Sequence, residues 1–588
     1  MDKYSDDDKS STFYNINGKN NINIKKIHCS IITCFIFFVF FLSTINNLYN
    51  YSHLRTTRYI LTYANVLYMI SFLSLNIQVE SLIGLKNGIL PINKYLKDIK
   101  KNLKTIDFFL SHYIVYFVYK FWKYVIKNRI KPKIFCKIGI ILSIINFFIQ
   151  KNTQTDFIRI FFSFCFFVLL FLLHISFKIV MRDFMVFQCD SLMNEFGFIL
   201  LFLNLSDSYY LKYANTLVIC ILRLVCFKVL FNSAVYKLIN NNSQWLKLEA
   251  FQTIFFCQPI PSILSYAANY IVNKKLLCFM VIVSELLCSW LIFCSSILRI
   301  VFFIIFVNVH ITCYILCNNI FFSYICLILF FSSFDDSILN LFSNSLRVPH
   351  LYKNNLLTNI SIYALVWIIN AVTLIFYFLS IFMNFVPFFE QWNVSNFTIF
   401  HFFYHIYYYF CPLNICNSYA MLANANTYRK EIIIEELHEI GKRYEWKCVY
   451  FNYNPANINK IGSIVWWGHV PRLEWKFHFF SYNFDKKNHK KDGYPIYICS
   501  FLANLCNREK ELMSMFNNEQ IQKIPLMIRL TSYNYKMSIN EYDKNNVLLK
   551  SLNPQDNAEW EIGKYWKRKK TGIIEILKYK ENFKIKKK

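Results

Sequence analysis

Few residues in this chain have the type and spacing that chemistry requires. Two adjacent carboxylates, Asp335 and Asp336, stand in the string FDDS, and His401 and His405 have the i, i+4 spacing that places two imidazoles on one helix face. Paired carboxylates can act as general acid and base, and two histidines can bind zinc when further ligands join them. Neither pair has a nucleophile or a third ligand at a recognisable offset, and the chain has no Walker, dinucleotide-binding or metalloprotease pattern. The sequence therefore predicts no catalytic residue, no cofactor and no bound metal.

A second group of polar residues lies inside or beside long apolar runs, where charge is costly and therefore informative. Its carboxylates are Asp183, Asp190 and Glu195, in MRDFMVFQCDSLMNEFGF. Its cations are Arg223, Lys228 and Lys237, on a later apolar segment. We expect a carboxylate on one helix to pair with a cation on another and so fix the two helices in register. A proton or ion relay is the functional alternative.

The elements that must position these residues are membrane helices. Hydrophobic residues make up 55% of the 588-residue chain, and they come in runs of the roughly 20 residues that cross a bilayer. The strong candidates are 28–48, 57–79, 157–180, 214–235, 276–296, 298–317 and 361–384, and the weaker ones are 107–126, 134–150, 196–205 and 319–334. The first weak segment mixes lysine with aromatics, which favours the membrane interface, and 196–205 are short enough to be half of a broken helix. We predict about 6–9 spans.

Charge and cysteine content exclude two further function classes. The formal charge of +29 is spread over loops and the carboxyl-terminal tail without a fold that reads bases, so we expect no nucleic-acid partner. Juxtamembrane lysines favour contact with anionic membrane lipid. The 19 cysteines include no Cys-x-x-Cys pair and lie mostly in apolar runs, which argues against thiol–disulfide chemistry.

The composition divides the chain into four regions. Residues 1–27 are a polar tail, predicted to be disordered, and 28–411 hold the spans. From Asn417 onward the strings EIIIEE and IPLMIRLTSYNY alternate with polar turns, which predicts a β-rich extramembrane domain over 417–545. Residues 546–588 are a basic tail that ends in KIKKK. The predicted fold class is an α-helical multi-pass membrane bundle followed by a mostly-β extramembrane carboxyl-terminal domain.

Several strings, read in order, resemble the lipase maturation factor family of endoplasmic-reticulum membrane proteins. In the membrane region they are SLIGLKNGILP (81–91), FQCDSLMNEFGFI (187–199), FNSAVYKL with the following Trp245, QPIP (258–261) and FDDS (334–337). In the carboxyl-terminal region they are NSYAML with EIIIE, EWKCVYFNYNP (445–455), HVPRLEW (469–475), IRLTSYNY (528–535) and YWKRK (565–569). Each string alone is weakly specific, but their common order makes coincidence hard to sustain.

The resemblance implies a function and a set of site residues. It implies a factor that helps secreted lipases or related secretory clients to mature, with the carboxyl-terminal domain in the lumen and membrane lipid around the bundle. The residues that it marks as client-binding or framework are His469, Pro471, Arg472, Glu474, Trp475, Trp446, Tyr565 and Trp566. Those that it marks as structural in the membrane loops are Gln188, Asp190, Glu195, Gly197, Lys237, Trp245, Gln258, Pro259, Pro261, Asp335 and Asp336.

Residue chemistry gives more specific expectations for five of these positions. Pro471 can set the start of a strand, Arg472 can form a forked pair with a carboxylate, and Trp475 can be a core or binding anchor. The prolines of CQPIP predict a turn at the membrane surface.

Orientation stays open at this point. If 28–48 span from a cytosolic amino terminus, the GILP loop returns to the cytosol, as lysines at 97–104 and 120–137 also favour. That loop would then lie across the membrane from a lumenal carboxyl-terminal domain. Two alternatives to a folding factor also remain: a membrane enzyme that uses Asp335 and Asp336 or the two histidines, and a transporter that uses Asp190 or Arg223.

Overall fold

The structure is a computed structural model. The residues that it describes are 19–103, 110–152, 156–239, 243–342, 360–391, 398–423, 426, 428–454, 456–483, 494–516, 524–538 and 560–578. Most of the predicted amino-terminal tail, residues 1–18, lies outside the described residues, as do 546–559 and 579–588 of the predicted basic tail.

The region up to residue 413 is helical. Its helices are α1 (Lys19–Asn50), α2 (Leu54–Ile83), α3 (Ile92–Leu103), α4 (Leu110–Lys127), α5 (Pro132–Asn152), α6 (Asp156–Val180), α7 (Gln188–Leu205), α8 (Lys212–Ile239), α9 (Ser243–Leu246), α10 (Ala250–Cys257), α11 (Ile263–Ile271), α12 (Lys274–Leu286), α13 (Ser296–Phe306), α14 (Thr312–Leu316), α15 (Ile320–Phe331), α16 (Asp336–Phe342), α17 (Ile360–Gln391) and α18 (Thr398–Phe410). Short 3₁₀ turns at Tyr209–Leu211, Cys288–Phe293 and Cys411–Leu413 and a π-turn at Val307–Ile311 extend or join them.

Eight helical stretches among the described residues are long and apolar enough to cross a membrane. They are Ile32–Asn50, Leu54–Ile83, Pro132–Asn152, Phe157–Val180, Tyr209–Ile239, Lys274–Phe293, Ser296–Leu316 and Ala364–Asn384. The number lies within the predicted range. Residues 107–126 are not among them, and α4 carries three lysines. Residues 196–205 are not half of a broken helix, because they continue the uninterrupted 18-residue α7.

Helix α8 is the centre of the bundle and is buried along nearly its whole length. Its Lys228 forms the predicted ion pair with Glu195 of α7. Lys237 pairs instead with Glu285 of α12, at 2.6 Å. Arg223 donates to the Ser332 carbonyl at 2.8 Å and to the Asn47 side chain at 2.7 Å, so it ties α8 to α1 and to the loop after α15.

In the described residues, the carboxyl-terminal region forms a five-stranded antiparallel sheet with three helices. The strands are β1 (Arg429–Ile440), β2 (Arg443–Val449), β3 (Met527–Met537), β4 (Glu561–Ile562) and β5 (Trp566–Lys578), in the order β2-β1-β3-β5-β4. The helices are α19 (Arg472–Asn483), α20 (Ile496–Cys506) and α21 (Lys510–Met513). Both predicted strand strings lie in the sheet, which extends past residue 545 because β5 pairs with β3. We call residues 415–578 the sheet domain.

The prediction that Pro471 starts a strand is wrong, because α19 begins at the next residue. Proline is tolerated at the start of a helix, where no intrahelical bond needs its missing N–H. Glu474 adds a carboxylate to the first turn, where the helix dipole favours negative charge. The string HVPRLEW is therefore a helix start.

The GILP loop and the sheet domain lie at the same end of the bundle. The Asn87 side chain donates to Glu509 at 2.6 Å, and the Ser81 hydroxyl donates to the Glu511 carbonyl at 2.6 Å. The arrangement left open above, with this loop across the membrane from the sheet domain, is therefore not the one that the structure has. We call this end of the bundle the sheet side and the other end the far side.

Helix α1 runs from the sheet side to the far side. In its carboxyl-terminal part, Asn47 accepts a hydrogen bond from Arg223 on the far side. Just after α1, Ser52 donates to Asp336 of α16, also on the far side. Phe35, earlier in α1, packs against Trp290, which also packs against Phe231, in the half of α8 that leads to the sheet side. The amino-terminal end of α1 and the sheet domain thus share one side, as an even number of crossings requires.

A substitution at Gly197 of α7 tests how closely α7 packs on α2. A Cβ at this position would lie 2.2 Å from the Tyr68 hydroxyl oxygen. We expect Gly197→Ala to destabilise the bundle by about 1–3 kcal/mol through overpacking, despite the better helix propensity of alanine. Denaturant titration of the purified protein measures this change.

The combination of Gly197→Ala with Tyr68→Phe is the control, because Phe removes the clashing oxygen. It should recover part of the lost stability. If Gly197→Ala is as stable as the wild type, α7 and α2 are not packed this closely.

Candidate functional site: the junction of bundle and sheet domain

The segment HVPRLEW lies between the sheet domain and the bundle, and we call residues 469–475 with their partners the junction. His469, Arg472 and Glu474 are each less than 9% exposed. The segment starts α19, which contacts β1 further along, where the Ser481 hydroxyl donates to the Lys430 carbonyl and His478 lies 3.0 Å from Glu431. A short stretch of chain thus contacts both parts of the protein.

Arg472 makes the strongest polar contact of the junction. Its guanidinium donates two hydrogen bonds of 2.6 Å to the two carboxylate oxygens of Asp190 in α7 and a third, of 3.1 Å, to the Phe184 carbonyl. Both side chains are fully buried. Burial alone would lower the pKa of Arg472, but the Asp190 carboxylate outweighs it and raises that pKa above its ordinary value. Arg472 is therefore charged and, as expected from its chemistry, bidentate.

The residues just before Arg472 bond to α2. The Val470 amide donates to the Ser74 hydroxyl at 3.1 Å, and Gln78 donates to the Val470 carbonyl at 2.8 Å. The Gln78 oxygen accepts from the Arg472 amide at 3.1 Å. One buried glutamine thus satisfies two backbone groups of the segment, which otherwise would be costly to bury.

His469 also meets α2, with its Nδ1 3.0 Å from the Ser74 hydroxyl oxygen. Its ring stacks on Trp467, with centroids 5.0 Å apart. Burial, and to a lesser extent the charge of Arg472, lowers the pKa of His469 to about 3. The imidazole is neutral at physiological pH and is a packing group there.

Glu474 and Trp475 complete the start of α19. Glu474 accepts a hydrogen bond of 3.2 Å from the Tyr453 amide, and burial raises its pKa well above the ordinary value. Trp475 packs edge-on against Phe187 at 4.8 Å between centroids. Glu474 is buried and Trp475 is partly buried, and both hold the start of α19 in the junction.

A second set of contacts holds the QPIP loop. Arg429 at the start of β1 donates to the carbonyls of Phe256, Gln258 and Pro259 and pairs with Glu431 at 2.6 Å. The Gly462 amide donates to the Pro261 carbonyl at 3.0 Å. The prolines form the predicted turn, and its carbonyls bind the sheet domain.

His478 of α19 joins the same contacts. Its Nδ1 lies 3.0 Å from the Glu431 carboxylate, and its Nε2 lies 3.0 Å from the Cys257 carbonyl oxygen. Burial lowers the pKa of His478, and the Arg429 charge lowers the pKa of Glu431 against the effect of its burial. Sequence reasoning missed Arg429, Glu431 and His478. A usable signal was present, since Arg429 and Glu431 are two apart on a strand and so share one face.

The segment 417–422 closes the other flank of the sheet side. Glu195 accepts from the Tyr419 hydroxyl at 2.7 Å and from the Asn417 amide at 3.1 Å. Gln188 accepts from the Ala420 amide at 3.3 Å. Trp245 lies 4.6 Å from the Lys237 ammonium and donates to the Leu422 carbonyl at 3.1 Å. The structure therefore brings these four predicted membrane-loop residues to the first segment of the sheet domain.

The remaining aromatic candidates lie in the sheet domain. Trp566 is fully buried, with the Arg429 guanidinium 5.5 Å from its ring. Tyr565 packs edge-on against Tyr266 of α11 at 5.4 Å. Trp446 lies away from the junction on β2, with Arg529 stacked 4.1 Å from its ring.

Asp335 and Asp336 lie on the far side and face different partners. Asp336 accepts from the backbone amides of Leu54 and Arg55 at 2.9 Å, which caps the start of α2. Asp335 pairs with Arg299 at 2.7 Å and accepts from the Ile338 amide at 3.2 Å. Each carboxylate is thus engaged with a helix terminus, and the two do not converge on a common space.

The histidine pair gives no support for a metal site. His405 lies in α18, and the side chain of His401 is outside the described residues. Across the part of the chain that the structure describes, no three His, Cys, Asp or Glu side chains are grouped so that they could hold a metal ion.

Comparison with known families gives two matches. The lipase maturation factor transmembrane domain matches residues 55–341, and the lipase maturation factor C-terminal domain matches residues 415–573. The first match covers the bundle from α2 to α16, and the second covers the sheet domain through most of β5. No individual curated protein and no solved structure matched the chain.

Removal of the Asp190 charge should leave the buried Arg472 without a charged partner. We expect Asp190→Asn to lower the free energy of unfolding by about 3–5 kcal/mol, as for other broken buried pairs. Asp98→Asn is the matched control, because its 3.2 Å pair with Arg182 is exposed and should change stability by less than about 1 kcal/mol. Denaturant titration of both variants checks this. Equal, small effects would contradict a buried pair.

His469 should make the stability of the junction depend on pH. The unfolded imidazole takes up a proton near pH 6.5, whereas the folded one stays neutral to about pH 3. Stability from His469 is therefore complete above pH 6.5 and falls by up to about 1.4 kcal/mol per pH unit as the pH drops.

Thermal unfolding of wild type and His469→Gln from pH 7.5 to 5 measures this effect. Glu474 has a raised pKa and an opposite pH dependence, but it is present in both proteins, so their difference isolates His469. The wild type should lose stability relative to the variant on acidification. Parallel pH profiles would rule out a neutral buried imidazole.

Proposed function

Because the chain belongs to the lipase maturation factor family, we propose that it assists the maturation of secreted lipases or related secretory clients at the endoplasmic-reticulum membrane. The observation that carries this proposal is the pair of family matches, one on the bundle and one on the sheet domain. The charged residues that an enzyme or a transporter would use also have structural partners: Asp336 caps α2, and Asp190 binds Arg472.

We propose that the protein acts by binding and not by making or breaking bonds. A factor that favours assembly must bind the unassembled client more tightly than the assembled one, since equal affinity for both forms shifts no equilibrium. Such a factor needs an accessible surface with apolar and hydrogen-bonding groups, held in a fixed orientation to the membrane. The junction supports the fixed orientation to the membrane. We assign to this supporting framework His469, Pro471, Arg472, Glu474 and Trp475.

We assign the client surface to the outer part of β2. Tyr444 is 63% exposed, Trp446 is partly buried under Arg529, and all three side chains lie on one face of the sheet. Tyr, Trp and Arg are the residues enriched in the energetic centres of protein interfaces. In the described part of the sheet, β2 is an edge strand, so its free backbone groups can also pair with an extended client segment.

The lumen is the side on which secretory clients fold, and we place the sheet domain there. One observation opposes this placement. Helices α3 and α4 carry many lysines and adjoin the GILP loop, and cytoplasmic loops are the ones that carry an excess of lysine and arginine. Sidedness is therefore the first thing to measure.

A glycosylation acceptor inserted in the exposed β1–β2 turn at Gly441 measures sidedness. We expect the inserted Asn-x-Thr to be glycosylated in cells, with a mobility shift that endoglycosidase removes, because only lumenal acceptors are modified. The control carries Gln in place of the acceptor Asn. An unmodified acceptor, together with cleavage of the same turn by protease added to sealed microsomes, would place the sheet domain in the cytosol.

The client surface can be tested with a co-expressed secreted homodimeric lipase. Tyr444→Ala with Trp446→Ala should lower the secreted lipase activity several-fold at an unchanged amount of the membrane protein, because two aromatic contacts are lost. Ile562→Ala, at the opposite edge of the sheet and equally exposed, is the matched control. Full activity of the double variant would show that clients bind elsewhere.

A further inference from the structure

Two adjacent tryptophans precede the junction and lie on the surface of the protein. Trp466 is 54% exposed and Trp467 is 40% exposed. Large exposed aromatic side chains in pairs are uncommon on a surface that faces only water. The position of this pair relative to the membrane helices shows what it faces.

The residue after the pair rests on the outward face of α2. Gly468 has a φ of +82°, and a Cβ there would come 3.0 Å from Ile70. Tyr63, Ile70 and Ile77 are spaced by seven residues and so share one helix face. Tyr63 and Ile77 are each more than half exposed. On an apolar span, such an exposed stripe faces lipid.

The residues around the pair are also bound to α15 and the turn before it. The Tyr324 hydroxyl donates to the Trp466 carbonyl, and the Val465 amide donates to the Asn318 side chain at 3.2 Å. Leu327, one turn further along α15, is exposed. The pair is thus attached to the outer surface where α2 and α15 lie side by side.

Helix lengths give the depth of this attachment. Helix α2 has 30 residues and is about 45 Å long, whereas the hydrocarbon layer is about 30 Å thick. Ile70 lies about 20 Å before its carboxyl-terminal end, and Tyr324 lies about 6 Å from the start of α15. Ser74, Gln78 and Ser81 in the last turns of α2 bond to the sheet domain, so the excess of about 15 Å projects on the sheet side. The level of Ile70 is then about 5 Å inside the hydrocarbon boundary.

We propose that Trp466 and Trp467 insert into the interfacial layer of the lipid bilayer and anchor the sheet domain to it. Indole rings favour this layer because their apolar body meets acyl chains while the N–H meets headgroups. On the two sides of the pair, the exposed Leu327 lies at the level of the acyl chains and the exposed Ile77 at the level of the headgroups, which matches a bilayer better than a protein partner. This inference is independent of any client.

Lipid contact of the wild-type protein can be mapped by photolabelling. The full chain is reconstituted in phosphatidylcholine vesicles that contain a lipid with a diazirine near the glycerol end of its acyl chain, and labelled peptides are identified by mass spectrometry. We expect adducts on the Trp466–Trp467 peptide and on the Ile77 peptide, and none on the Tyr444 peptide. Adducts on the Ile77 peptide without any on Trp466–Trp467 would overturn the proposal.

Fluorescence quenching by brominated phosphatidylcholine is a second test. The chain has 11 tryptophans. The emission lost in the double variant Trp466→Phe with Trp467→Phe is the emission of the pair. The emission lost in Trp446→Phe is that of a control tryptophan in the sheet. We expect shallow bromines to quench the contribution of the pair at least twofold more than deep bromines do, with no quenching of Trp446. A contribution of the pair that neither bromine position quenches would mean that the pair faces water or protein.

Discussion

The arrangement of this protein depends on a buried ion pair between Arg472 and Asp190. Each partner comes from a different part of the chain, 282 residues apart, and each is expensive to bury alone. Together they satisfy both carboxylate oxygens and most of the guanidinium, and the pair is retained only if α7 and α19 stay in contact. The sheet domain is therefore attached to the bundle at a fixed position.

Other contacts on the sheet side also join the bundle to the sheet domain, through hydrogen bonds between a side chain of one and backbone groups of the other. Gln78 binds the Val470 carbonyl and the Arg472 amide, and Arg429 binds the carbonyls of the QPIP loop. In each case a buried side chain of one part satisfies the main chain of the other, so separation would leave unpaired polar groups in both. These contacts join the bundle and the sheet domain, and the proposed client surface lies away from them on β2.

Much of the fold follows from the sequence because two local patterns are strong. Long apolar runs predict the spans, and the alternation in EIIIEE and IRLTSYNY predicts β1 and β3. The start of α19 is also indicated by the sequence, since Pro471 followed by Glu474 is typical of a helix start, but the prediction for Pro471 is the start of a strand. YWKRK lies in the predicted basic tail but starts β5. Its own residues give little sign of a strand, because β5 is stabilised by pairing with β3.

The junction itself could not be predicted in the same way. Asp190 and Arg472 were both singled out, yet their types do not say which of several cations and carboxylates will meet. Lys228 meets Glu195 and Lys237 meets Glu285, and only the packed bundle decides among these choices. Ser74 and Gln78 carried no signal, because a polar residue in a span gives no indication of a partner almost four hundred residues away.

Hydrogen exchange of the full-length protein in lipid tests the central claim, that the pair joins bundle and sheet domain into one cooperative body. In Asp190→Asn, the account predicts faster exchange of the Val470 and Arg472 amides together with the Gly462 amide, which bonds the QPIP loop at a separate site. Faster exchange confined to 470–472, with Gly462 as protected as in the wild type, would contradict it.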